Sequence, residues 1–127
     1  MPPATLVIVT AERRRFQTAA KLAASDEARL AGFQCATRNE IKTTVIVFDF
    51  HGEVMGGFHM QNVPAALDIA FVKGSGRIFS ILPMEPSPSA RYGPLGTYRY
   101  AIEARAGFFK ERGIAQGDRV VAVEAKR

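Results

Sequence analysis

The sequence predicts a mainly β domain of the α+β class, built as a compact sandwich or partly open barrel. Roughly seven or eight short strands and two short helices are expected. Three observations carry this. Apolar and β-branched residues recur at strand spacing in many brief runs, each closed by Gly, Pro or Asp. Strand and helix patterns do not alternate, which removes a parallel wound sheet. The chain has 127 residues, 47% hydrophobic and 23% charged, the size and balance of one globular domain spanning the whole chain. That length buries a core without a disulfide or metal staple.

Taken in order, Leu6 to Val9 is a β-branched first strand, Ala11-Glu12 a turn, and Arg15 to Ala23 the returning strand of a hairpin. Ser25 is a helix N-cap, with Asp26 and Glu27 in the first turn where the macrodipole favours acids. Leu30 and Phe33 share a face, and Gly32 ends this two-turn helix. Ala36 to Lys42 reads as a polar loop. Thr43 to Phe48 is apolar on both faces and therefore central. Asp49 to Gly52 reads as a turn, and Gly56-Gly57 permits a bend before Phe58.

In the next stretch Phe58 and Met60 alternate with His59 and Gln61; Asn62-Val63-Pro64 breaks the strand, and Leu67 to Val72 resumes it with Asp68 inside. Lys73 to Gly76 is a hairpin turn and Arg77 to Leu82 the return strand. Pro83 to Gly96, rich in Pro, Ser and Gly, is a long loop of the kind that is often functional. Thr97 to Ala104 reads as a half-exposed strand. Phe108 to Arg112 forms a helical turn or two stopped by Gly113, and Arg119 to Val123 is the last strand.

Composition excludes several functions. The net charge is +5, but apart from Arg13, Arg14 and Arg15 the cations are scattered through every element rather than clustered with aromatics, so no nucleic-acid partner is expected. No apolar run approaches the ~20 residues of a membrane span. The first ten residues, MPPATLVIVT, lack a basic start and a ~7–15-residue apolar core. The chain as written reads as cytoplasmic, or as exported if a leader has been removed. One cysteine, Cys35, admits no internal disulfide. It follows a helix rather than opening one, so its thiolate is not favoured. His51 and His59 are the two histidines, and their spacing is no metal signature. No cofactor is expected.

The candidate site centres on Asn62 and Asp68. A carboxylate inside an apolar strand must be paired or hydrogen-bonded. Asp68 is therefore either a structural lock that accepts backbone N–H groups or a binding residue. In the second case His59, Asn62 and Asp68 line a cleft mouth, with Arg91 and Tyr92 of the long loop as a lid. One acid beside one amide suits a small polar ligand, or a protein partner, better than hydrolysis, which needs two placed carboxylates. The reading is a non-catalytic binding or accessory module. The alternative is a small hydrolase using Asp68 with His59 or Glu85.

The same residues resemble a known pattern. Domain-of-unknown-function family 192 has a central signature of about F-W-M-K-N-T-x-x-P-L-D-I-x-F. Here Phe58-His59-Met60-Gln61-Asn62-Val63-Pro64 runs on to Leu67-Asp68-Ile69-Ala70-Phe71. Glu27 to Gln34 is similar to the family's E-R-A-R-G-L-M helix. Thr44 to Val47 stands where the family has G-M-L-F. Ile102-Glu103 to Gly107 and Gly113-Ile114 to Val120 resemble its L-E-x-x-A-G and G-I-x-x-G-D-x-V segments. The resemblance implies a jelly-roll-like β fold and no established activity; many members carry a secretion leader. In this chain His59 replaces the signature tryptophan, Gln61 replaces the lysine, and Pro64 lies earlier than the family's proline.

Overall fold

The structure is a computed structural model and describes residues 1–126. In chain order its elements are β1 (Pro3–Val9), β2 (Arg15–Ala23), α1 (Asp26–Ala31), α2 (Arg38–Thr43), β3 (Ile46–Val54), β4 (Phe58–His59), β5 (Leu67–Val72), β6 (Ile78–Met84), β7 (Arg91–Tyr92), β8 (Tyr98–Arg105), α3 (Phe108–Glu111) and β9 (Arg119–Ala125). Seven strands form one sheet of order β6-β5-β8-β3-β2-β1-β9, and β4 and β7 form a separate ribbon. Among the described residues only β2 and β3 pair in parallel; the other pairs are antiparallel. The edge strands meet at one end, where the Ile78 N–H donates to the Asp118 carbonyl (2.8 Å) and the Val120 N–H to the Gly76 carbonyl (2.7 Å). That approach needs Gly76: at φ +94° a Cβ would sit 2.3 Å from the Val120 oxygen. The strands do not pair along their length, so the sheet is not closed into a barrel.

Period-two alternation sorts the apolar residues into two cores, one on each face of the sheet. Leu6, Ile8, Val47, Ala70, Val72 and Ile102 join Phe108 and Phe109 of α3 on one face. Ile46, Phe48, Ile69, Phe71 and Ala101 join Phe33, Ile41 and Met60 on the other. The mainly β α+β class expected from the sequence is thus present, with nine strands and three short helices among the described residues.

Four stretches differ from expectation. Residues 36–42 are not loop but contain α2, because Thr37 and Glu40 make a reciprocal capping box and Ile41 is buried beneath them. Asp49 to Gly52 does not end the strand. β3 runs on through a bulge, with His51 at φ +63° and its N–H held by the Asp49 carboxylate at 2.8 Å. β6 continues through Pro83, which an edge strand tolerates. Finally, β8 is not half-exposed. It lies between β5 and β3, and Ala101 to Ala104 are all buried.

Candidate functional site

The central placement of β8 puts an acid inside the protein. Glu103 faces the same way as Ala101, opposite Ile46 of β3 and Ile69 of β5. It is 4% exposed. No salt bridge or hydrogen bond from the described residues reaches its carboxyl, and burial alone pushes its pKa up to about 8. No side-chain oxygen among the described residues is both sealed from solvent and unpartnered. The Glu103 carboxyl therefore opens onto the cavity it lines, which is about 650 Å³ in volume.

Three pieces of structure wall this cavity. The first is α1 with its end at Gly32, which packs so close that a Cβ there would lie 3.4 Å from the Phe48 ring and 3.6 Å from Glu103 Oε1. The second is β3 and the bend after it, supplying Phe48, Phe50, Val54 and Met55. The third is the β4–β7 ribbon with Phe58, His59 and Arg91. The aromatic rings meet edge to face, with centroids 5.1 Å apart for Phe48–Phe58 and 5.5 Å for Phe50–Tyr98. Tyr98 donates its hydroxyl to the Gly56 carbonyl at 3.2 Å, and burial raises its pKa.

Arg29 of α1 is the nearby cation with a structural task. Its guanidinium donates to the carbonyls of Ala24 (2.6 Å) and Asp49 (3.0 Å), pairs with Asp26, and lies 5.3 Å over the Phe50 ring. It clamps the helix to β3 and its charge is already matched. At the mouth, Leu30 and Met55 are 72% and 76% exposed.

The residues singled out in the sequence divide between two faces. His59 and Arg91 are register partners in the ribbon and both line the aromatic cavity. Tyr92 pairs with Phe58, and its hydroxyl donates to the Glu85 carbonyl at 3.2 Å. Asn62 occupies the turn after β4 at φ +59°, where its carbonyl accepts the Cys35 N–H at 2.9 Å. Asp68 points the other way, since Leu67, Ile69 and Phe71 take the cavity-side face of β5. Its Oδ2 accepts the Gly107 N–H at 2.8 Å, at the start of α3. It borders a second cavity of about 420 Å³ with Phe109, Lys110 and Ile114. His59 and Asp68 thus line different cavities. Among the described residues no three His, Cys, Asp or Glu side chains converge to hold a metal.

Glu103, Arg29, Phe48, Phe50 and Tyr98 were not singled out from the sequence. The available signal for Glu103 was its place as the glutamate of the segment resembling L-E-x-x-A-G; period two groups it with Arg99 and Arg105 and pointed to solvent instead.

The match to known proteins follows the same segments. The model of domain-of-unknown-function family 192, described as "Uncharacterized ACR", matches residues 7–122. The chain belongs to that family. No curated protein matches it. Two solved structures share its fold. A candidate transcription regulator from Sinorhizobium meliloti 1021 is 25% identical with a TM-score of 0.83, the match covering 93% of this chain and 92% of that one. A protein of unknown function from Novosphingobium aromaticivorans DSM 12444 is 22% identical with a TM-score of 0.79, covering 93% and 84%. In this family-192 protein the signature stretch is split by its turn. Phe58 and His59 line the aromatic cavity, while Asp68 lines the one on the opposite face.

Proposed function

We propose that the protein is a non-catalytic binding module that holds a small, partly apolar ligand in the cavity beside Glu103. The observation that carries this is the carboxyl of a residue only 4% exposed, which no described residue partners and which opens onto a cavity of about 650 Å³. A buried polar group without a partner costs free energy, and a ligand that supplies the partner recovers it. Aromatic and apolar walls with a few placed polar groups are the ordinary make-up of a ligand pocket. His59 and Arg91 of the expected site stand on this lining; Asp68 acts through its hydrogen bond to α3.

A hydrolase built on Asp68 with His59 is disfavoured by their placement on different cavities. The test is a protein-detected NMR screen of small amphipathic compounds. Binders are expected to shift the amides of Phe58, Tyr98 and Glu103. A screen whose binders all perturb the Asp68 cavity, or none of whose compounds perturbs either cavity, contradicts the assignment.

A further inference from the structure

The cavity's charge arrangement narrows the chemistry of its ligand. We propose that the ligand carries an organic cation, a primary ammonium on an apolar body, seated against Glu103 among the rings of Phe48, Phe50, Phe58 and Tyr98. This rests on the reading of the cavity as a ligand site.

Among the described residues Glu103 has no counter-charge. Arg29, the α1 cation on the same lining, is committed to Asp26 and to the carbonyls of Ala24 and Asp49. Arg91 lies exposed at the rim. An ammonium supplies the missing opposite charge at the floor, and aromatic walls attract cations through their negative faces. An anionic ligand meets like charge there once Glu103 ionises. Exposed Leu30 and Met55 at the mouth suit an apolar body.

Binding is therefore linked to a proton. Glu103 is held as the neutral acid until about pH 8, and pairing with an ammonium releases its proton to solvent. The other titratable or charged groups around it are Asp26 and Arg29 from α1, His59 from β4, Arg91 from β7 and Tyr98 from β8 itself. The facing residues of β3 and β5, Ile46 and Ile69, are apolar.

The experiment titrates the protein with n-hexylammonium, n-hexanol and hexanoate, three probes of equal chain length, by NMR and calorimetry. An alkylammonium keeps its charge at pH 6 to 8, since amines of the lysine type titrate near ~10.4. The ammonium is expected to shift the Phe58, Tyr98 and Glu103 amides. Its affinity should rise about fifty-fold from pH 6 to pH 8, as the ionised fraction of Glu103 grows from about 1% to about half. About 0.9 proton should be released at pH 7, measured in buffers of different ionisation enthalpy. Glu103→Gln should weaken the ammonium at least ten-fold while leaving hexanol unchanged.

Hexanol or hexanoate binding as tightly as the ammonium, without proton release, overturns the cation assignment and leaves the ligand-site reading standing. Silence of all three probes at pH 8 overturns both. A folded Glu103→Gln protein that binds the ammonium as tightly as the parent overturns the assignment. If that variant does not fold, absence of proton release by the unaltered protein does so.

Discussion

Glu103→Gln is expected to make the protein more stable at neutral pH. The unfolded chain gives up the Glu103 proton near the ordinary value of 4.5, whereas the folded protein keeps it to about 8. Between those values the native state binds the extra proton, so stability falls as pH rises and levels off above pH 8. Each pH unit in that window is worth about 1.4 kcal/mol. The cumulative cost is therefore about 3 kcal/mol at pH 7 and roughly 5 kcal/mol above pH 8.

Glutamine keeps the shape and remains neutral at every pH. The variant should exceed the parent by just under about 1 kcal/mol at pH 5 and by about 3 kcal/mol at pH 7. With roughly 3–5 °C of Tm per kcal/mol at this chain length, that is a rise of about 10 °C. Urea unfolding followed by far-ultraviolet circular dichroism, repeated from pH 5 to 9, measures both the gap and its slope. Parallel pH profiles for the two proteins, or a variant less stable at pH 8, refute the claim that Glu103 is buried without a counter-charge. Glu40 and Glu111, whose pKa values are lowered by hydrogen bonds to Thr37 and Arg105 respectively, act in the acid range below this window and are common to both proteins.

Other expectations follow from the same structure. Phe71→Ala should cost about 3–5 kcal/mol by chemical denaturation, since the ring is fully buried against Phe58 and Tyr98; a loss under about 1 kcal/mol contradicts that packing. Asp118 is 4% exposed and accepts the N–H groups of Ala11 (2.9 Å) and Ala115 (2.8 Å), joining two distant turns. Asp118→Ala leaves two donors unpaired and should lower stability by about 2–5 kcal/mol, and hydrogen exchange should quicken at Ala11 and Ala115. Asp68→Asn should cost about 1–3 kcal/mol if its bond to Gly107 is the lock that fixes the start of α3; unchanged stability removes that role.

The fold was legible where one physical signal dominated. The β5 run from Leu67 to Val72 and the β2 run from Arg15 to Ala23 were delimited by their own patterns and turns. α2 was written as Thr37-x-x-Glu40, a capping box masked by a polar sequence that buries only Ile41. The extension of β3 was hidden because His51 adopts a positive φ within a strand. The site was legible only in part. His59 and Arg91 are 32 positions apart, and nothing local indicates that a two-residue ribbon brings them together. Glu103 was hidden by its strand. Tyr98, Arg99, Tyr100 and Glu103 make β8 look half-solvated, whereas its neighbours β5 and β3 bury it. Strand order is a long-range property, and it decides whether an acid stands on the open surface or inside a cavity.

The ligand-site account depends on Glu103 standing alone at the cavity floor. Its most direct measurement is the pH titration of the Glu103 side-chain carboxyl carbon by NMR in the ligand-free protein. The account predicts a single midpoint near pH 8. A midpoint near the ordinary 4.5 means that the carboxyl is hydrated or paired, and contradicts it.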